Sequence, residues 1–507
     1  MHAGKRSFLL FNILLFIWLL LPVSAAEEVS PSITITGTGF ANPAALTDGD
    51  RLTSTKVSGG GTVTVSADAG IDSLYIVFDR VPAEWTMTDG AAAIPCGQNG
   101  FLHEFVDVEA LLGGRPASLT LNFPAGTSID EIYAFATDEI PDWVQIWQPP
   151  CEAADILLLS SHSDDEQLFF AGILPLYAGE KGLDVQVVYL VHHFDTHNRP
   201  HEQLNGLWEV GVRHYPVISG FPDLYSESLN GAISIYKSYG HSYEDFCRYI
   251  TTNIRRFRPQ VLITHDPAGE YSHGTHILCT AAVQECLDYA ADPAVYPDTA
   301  DTYGTWDVPK TYLHLYKENP IVMDFDTPLS AFGGKTAFQV SQDGFAHHKS
   351  QHWTWFYKWI YGTKDKPITK AAQINYLSPC RYGLYRTTVG ADVVGGDFFE
   401  NLTSYAEQKA AEEAAKQQET TAADTELPPD TADTETEAAT DAAITADLPD
   451  TSFADTSSPA TEEPPEPTDP ARPSSVVFIL AAIAVAAALV AMILLPMYMH
   501  PSKKNKR

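Results

Sequence analysis

Between Asp155 and Ser160 the chain reads Ile-Leu-Leu-Leu, with no polar residue to turn toward water. A strand that is apolar on both faces must be covered on both, the condition of a parallel sheet with helices above and below it. The segments that follow repeat the demand. The pattern predicts a helix over Glu166–Ala178 ending at Gly182, an apolar strand over Val185–Val191, and a helix ending at Gly211-Val212. Beyond these it predicts a helix over Tyr243–Phe257 closing before Pro259, a strand over Val261–Thr264 and a helix over Thr275–Ala290. This alternation describes a doubly wound α/β domain, expected over residues 151–402, whose ligands bind beyond the carboxyl ends of the strands.

Upstream the rhythm differs. Short period-2 runs (Thr62–Ser66, Ser73–Phe78, Ser118–Phe123, Glu131–Ala136, Val144–Trp147) separated by Gly, Pro and Asp predict a β-sandwich over residues 28–149. The run Ala45-Leu-Thr-Asp-Gly-Asp50 resembles the opening of discoidin or galactose-binding-like domains, which often bind carbohydrate; the same residues also read as an Asp-Gly turn that organises a loop.

The two ends suggest export and tethering. Lys5 and Arg6, the apolar run Phe8–Leu21 and the small residues before Ala26 form an expected signal peptide over residues 1–25. Val476–Leu495 is long and apolar enough for a membrane-spanning helix, and the basic tail of residues 496–507 is expected on its cytoplasmic side. Between domain and helix, residues 405–473 hold 18 acidic against 3 basic residues in an Ala/Thr/Pro-rich background, the composition of a disordered linker or stalk. Nearly everything is thus expected outside the cell on a single-pass anchor. The net charge of −34 argues against nucleic acid as a partner, because a phosphate backbone needs basic patches to displace its counterions. Six cysteines lie in the exported part without the spacing of a stapled scaffold, and their connectivity is not readable; Cys279 and Cys286 fit core thiols of one helix.

Chemistry concentrates at two predicted strand ends. Ser161-His-Ser-Asp-Asp-Glu166 follows the first apolar strand, where the serines could cap a helix and the acids complement its dipole. His265-Asp-Pro-Ala-Gly-Glu-Tyr-Ser-His-Gly-Thr-His276 follows the strand Val261–Thr264. A His/Asp pair from one loop and a His from the other make a three-ligand N/O site that leaves room for water, the pattern of catalytic zinc.

These motifs resemble those of the PIG-L or LmbE-like zinc N-acetylglucosaminyl deacetylases. Ser161–Glu166 is similar to their Ala-His-Pro-Asp-Asp-Glu, and Gly269–His276 to their Gly-x-Tyr-Gly-His-Pro-Asp-His. Arg199-Pro-His-Glu202 stands where they carry Arg-x-x-Glu, and His348-Lys-Ser-Gln351 where they carry His-x-Ser-Gln. The resemblance implies a Rossmann-like deacetylase domain with one zinc ion held by His162, Asp165 and His276. It further implies Asp164 as the base that activates water, His273 and Tyr271 as catalytic donors to the oxyanion and leaving amine, and Arg199 as a substrate-binding residue. Asp266 is expected to orient one of the histidines. The implied substrate is an N-acetylated glycan or glycoconjugate of the GlcNAc type. Two positions depart from the motif: Ser163 replaces Pro, and Thr275 replaces an Asp that would support a ligand. The alternative is a cell-surface carbohydrate-binding protein whose deacetylase-like domain is weak or inactive; a zinc hydrolase of another amide shares the whole site. His192, His193, His197 and His201 read as a loop rimming the pocket, and the Trp353–Trp359 aromatics as core.

Overall fold

A computed structural model describes residues 33–423. The expected signal peptide, the span Val476–Leu495 and the basic tail lie outside the described residues; among the described residues no helix is long and apolar enough to cross a membrane.

The first half is antiparallel throughout. Its strands are β1 (Ile33–Phe40), β2 (Thr55–Ala67), β3 (Ser73–Phe78), β4 (Trp85–Thr88), β5 (Ile94–Cys96), β6 (His103–Asp107), β7 (Ser118–Phe123) and β8 (Ser128–Phe135). They run in the order β5-β4-β7-β2-β8-β3-β6, with β1 beside β2. Strand β2 carries both halves of this path: Gly61–Ser66 pair with β7, while Thr55 and Lys56 pair with β8. The Gly59-Gly60-Gly61 run between these pairings, with Gly60 at φ +134°, lets the strand leave one ladder for the other. Val63, Val65 and Leu121 from one ladder share a core with Leu74, Ile76, Phe78 and Ile132 from the other. The Ala45–Asp50 run folds as a turn: Gly49 N–H donates to Glu131 (2.7 Å), and Asp50 accepts from Leu52 N–H (3.0 Å) and the Thr53 hydroxyl (3.0 Å).

One expected strand does not form. Val144–Trp147 is a turn and an extended lead into the second half, held by side chains rather than by a ladder. Val144 packs on Tyr75 and Val77, and the Trp147 ring meets Trp208 and Tyr215 edge-on.

The second half is a sheet of β9 (Ile156–Ser160), β10 (Val185–Tyr189), β11 (Val217–Ile218), β12 (Val261–Thr264), β13 (Lys310–His314), β14 (Pro320–Val322) and β17 (Arg381–Thr387), in the order β11-β10-β9-β12-β13-β17-β14. A small hairpin, β15 (Gly362–Thr363) with β16 (Lys366–Pro367), lies off this sheet. Strands β9 to β13 are parallel and β17 and β14 antiparallel. The apolar run of β9 is used on both sides: Ile156 and Leu158 join a core with helices Asn198–Glu209 and Ala337–Ala346, and Leu157 and Leu159 join one with helices Tyr243–Phe257 and Gly274–Ala291. Strand order reverses between β9 and β12, and their carboxyl ends open there as neighbours. All six cysteines are free and buried.

Two expectations need correction. The helix over Glu166–Ala178 is instead a succession of turns, regular only over Pro175–Glu180, where it is wound as a π-helix. Gly172 marks the end of the irregular stretch: its φ of +99° interrupts any helical path through it, and a Cβ there would stand 2.3 Å from the Phe325 ring. The linker expected from residue 405 opens with helix Tyr405–Ala423, rich in Ala, Glu and Gln and started by a reciprocal cap. Glu407 accepts from Ser404 N–H (2.7 Å), and Ser404 Oγ accepts from Glu407 N–H (3.2 Å). The rest of the linker lies outside the described residues.

Replacing Gly172 with Ala imposes both strained backbone and overpacking against Phe325. Denaturant unfolding should show a loss of about 2–4 kcal/mol, and an unchanged midpoint would refute this account of the broken helix.

Candidate active site

The loops after β9 and β12 face each other at the point where the strand order reverses, and the expected ligands meet there. His162 Nδ1 lies 3.1 Å from Asp165 Oδ2 and 3.0 Å from His276 Nε2, and His276 Nε2 lies 3.3 Å from Asp165 Oδ2. Tetrahedral zinc with donors at its usual bond lengths implies edges of about 3.3 Å, so this buried triangle has the size of a zinc-binding face. His273 and His265 also stand within the wider group of metal-type donors.

Each ring has its far side fixed. Glu270, wholly buried, accepts through Oε2 from His276 Nδ1 (2.7 Å) and His265 Nδ1 (2.9 Å), and through Oε1 from His314 Nδ1 (2.6 Å) and Asp266 N–H (3.1 Å). Burial opposes its charge, yet the histidines around it hold Glu270 well below the usual carboxylate range. With its Nδ1 hydrogen directed at Glu270, His276 offers Nε2 to the triangle. His265 is different: its Nε2 accepts from Ser161 N–H (2.8 Å), so it ties the two loops together. The orienting role expected of Asp266 therefore belongs to Glu270; the Asp266 carboxylate instead accepts from Ala268 N–H (2.9 Å).

The two adjacent aspartates titrate in opposite directions. Burial would raise Asp165, but His276 and His162 outweigh it and hold it well below the normal range. Asp164 is pushed up to about 7, by burial first and by Asp165 among its neighbours, against the pull of Arg199. Its backbone sits at φ +124°, a conformation that costs a non-glycine residue of order 1–3 kcal/mol and so must be held by its surroundings. Asp164 N–H donates to Glu166 (3.0 Å), and Arg199 Nη2 donates to Ser163 O (2.5 Å) while standing 3.7 Å from Asp164. Arg199 is therefore placed against the loop after β9 itself.

Asp223, which carried no sequence signal, faces the other nitrogen of His162 at 3.4 Å and His193 at 3.5 Å. Burial alone would lower His162, but Asp223 and Asp165 lift it to about 10. His193 accepts from Ser163 N–H (3.2 Å), so of the four clustered histidines this one reaches the site. His197 and His201 turn instead toward the N-terminal strands, which corrects the reading of all four as a pocket rim.

On the other wall, Tyr271 and Ser272 both have positive φ (+45° and +63°) in a tight turn that brings the Tyr271 ring edge-on to His273 and His276. Burial, then His162 and His276, lower His273 to about 2. Its Nδ1 accepts from Thr275 N–H (3.3 Å), so the neutral ring carries its hydrogen on Nε2, a donor. Thr275, at the position of the missing Asp, donates its hydroxyl to Leu224 O (3.0 Å) and anchors the helix start. The remaining motifs meet each other: Glu202 accepts from Ser350 N–H (2.9 Å) and Oγ (2.5 Å), and His348 lies 3.4 Å from Glu166. The Trp355 ring, expected in the core, is exposed and packs edge-on against Tyr271.

Residues 157–287 match the family model described as PIG-L: GlcNAc-PI de-N-acetylase. Among curated relatives, 1D-myo-inositol 2-acetamido-2-deoxy-alpha-D-glucopyranoside deacetylase of Streptomyces scabiei is 24% identical over 192 residues, 34% of this chain and 58% of that protein. A protein of the same description from Catenulispora acidiphila is 26% identical, over 32% of this chain and 56% of the relative. The chain thus spans less than two thirds of the length of either. Among solved structures, N,N'-diacetylchitobiose deacetylase from Pyrococcus horikoshii aligns at 15% identity and a TM-score of 0.32, covering 51% of this chain and 90% of that one.

If Glu270 fixes the ring of His276, Glu270→Gln should weaken zinc binding about 10–100-fold in competition with a chelator while the far-UV circular dichroism stays unchanged. Equal affinity in the variant would remove the orienting role.

Proposed function

We propose that residues 157–287, which form a PIG-L domain, are the catalytic part of a zinc-dependent hydrolase that removes the N-acetyl group from an N-acetylated amino sugar of the GlcNAc type. The observation that carries this reading is the triangle of His162, Asp165 and His276, with donor atoms 3.0 to 3.3 Å apart. When bound, a zinc ion lowers the pKa of a water and polarises the acetyl carbonyl.

The chain's own residues supply the rest. Asp164, pushed up to about 7, takes the proton of the attacking water; Asp165, held ionised, stays a ligand. His273, fixed by Thr275 N–H with its hydrogen on Nε2, donates a hydrogen bond to the developing oxyanion, the Tyr271 hydroxyl is a second donor, and the proton that Asp164 took from water passes to the departing amine as the C–N bond breaks. Arg199 keeps the catalytic loop in place and presents its remaining donors to substrate oxygens. Where the protein acts is part of the same proposal: an extracellular domain on a single C-terminal anchor, working on surface or environmental glycans, with the N-terminal strands helping to hold them. That finer part rests on the sequence of the two ends and on the Ala45–Asp50 run.

The test uses purified full-length protein, zinc, and acetate release from N-acetylated sugars. Asp164→Asn should retain its metal and lose about 10²–10⁴-fold in kcat. Metal-free protein, or equal release by the variant, would leave the carbohydrate-binding alternative standing. Because Asp164 works as a base only when ionised, kcat/KM should fall as the pH drops through about 7, or somewhat lower once a bound cation favours the carboxylate. A rate flat down to the ordinary Asp range would exclude Asp164 as the base.

A further inference from the structure

A second group of metal-type donors lies where helix Asn198–Glu209 meets strand β8. Asp130 of β8, His197 at the helix cap and His201 one turn later place their donor atoms within 4.8 Å of one another. His201 Nε2 is 3.2 Å and His197 Nε2 3.8 Å from Asp130 Oδ2. The histidines stand four residues apart at the start of a helix, a spacing that places two rings on one face.

The inward atoms face one another and little else. Both oxygens of Asp130 and the Nε2 atoms of His197 and His201 are buried without a well-formed hydrogen bond, the nearest approach being His201 to Asp130 at 3.2 Å, and the Asp130 side chain is fully buried. A buried carboxylate so poorly supplied with donors is costly, so this pocket calls for a cation. The outer nitrogens show the same design: His197 Nδ1 bonds Asp79, and His201 Nδ1 lies 2.9 Å from His103 Nε2. His103 Nδ1 lies 2.8 Å from Gln145 Oε1 and 3.0 Å from the Tyr75 hydroxyl; the tautomer that gives its Nδ1 hydrogen to the Gln145 carbonyl leaves Nε2 as the acceptor for His201. Carboxylate–histidine and histidine–histidine bonds of this kind fix the tautomer that leaves Nε2 free to ligate.

We propose that Asp130, His197 and His201 form a second divalent-metal site, of the zinc type, that clamps the first turn of helix Asn198–Glu209 to strand β8. The alternative occupant of the gap is a proton, with a charged His201 paired to Asp130. The clamp has a consequence for the first site: Arg199 lies between the two histidines on the same turn and reaches Ser163 of the catalytic loop. The ion is therefore a structural element that positions Arg199 from behind.

The test is the metal content of full-length protein equilibrated with zinc and freed of loose ions, alongside thermal melting with and without chelator. The wild type should hold about two zinc ions per chain. Asp130→Asn or His201→Gln should hold about one and melt lower, and the pair His162→Gln/Asp165→Asn should hold about one through loss of the other ion. A wild type with a single ion that the His162/Asp165 pair loses and Asp130→Asn keeps would overturn the second site, whatever the variants' stability. Two ions retained in Asp130→Asn would overturn it equally. A single ion lost in Asp130→Asn would instead support this site and refute the catalytic one.

Discussion

Glu270 is the residue on which the geometry of the candidate site depends. Its two oxygens take four hydrogens, three from histidine rings and one from the backbone of Asp266, in a place with no access to solvent. A carboxylate left alone there would be expensive to bury; saturated with donors, it becomes a fixed negative centre that decides which face each imidazole offers. His276 turns a lone pair toward His162 and Asp165 because its other nitrogen is spoken for. His265 uses its lone pair to accept Ser161 N–H and so holds the loop after β9 in register with the loop after β12. His314 carries the link on to β13, whose neighbour β12 starts the loop that bears Glu270. One carboxylate thus couples three parallel strand ends, and any displacement of β13 is passed to the ligand triangle through it.

The topology explains why the triangle forms between β9 and β12 and nowhere else on the sheet. Where the order reverses, the connections leave in opposite directions and the two strand ends are not roofed by a crossover. The chain fills that gap with backbone it cannot hold cheaply. Asp164, Tyr271 and Ser272 all have positive φ without being glycine, and all lie in the loops that carry the donors. Such strain persists only where neighbours over-determine it. Here the neighbours are identifiable: Glu166 on Asp164 N–H, Arg199 on Ser163 O, and Gly269, whose positive φ admits the turn before Tyr271.

Much of this was legible in the sequence because it is local. The run Ile156–Ser160 demanded cover on both faces, and Tyr243–Phe257 and Val261–Thr264 form over the very residues their patterns predict. The two donor clusters followed strand ends and therefore had to meet if the sheet was doubly wound. What escaped is set by contacts distant in sequence. Glu270 occupies a position that the motif leaves open, and nothing in its neighbourhood of the chain announces His314, 44 residues on. The helix over Glu166–Ala178 is interrupted at Gly172, which makes room for Phe325, a residue far along the chain. His197 and His201 looked like part of a histidine-rich loop, and only the placement of β8 reveals that their partner is Asp130.

The adjacent aspartates of the loop after β9 stand in opposite electrostatic surroundings. Asp164 and Asp165 have the same chemistry, the same burial and a shared peptide bond, so composition cannot assign their roles. Surroundings can. Asp165 accepts His162 N–H (2.8 Å) and lies against two imidazoles, which favours its charge. Burial raises Asp164; Arg199, at 3.7 Å, and His348 pull the other way, and the charge of Asp165 beside it disfavours its ionisation. Arg199 is the larger of the favourable charges beside Asp164, and moving it closer would favour the carboxylate. The position of helix Asn198–Glu209, and so the seam at Asp130, His197 and His201, reaches the loop of Ser163 and Asp164 through that one guanidinium.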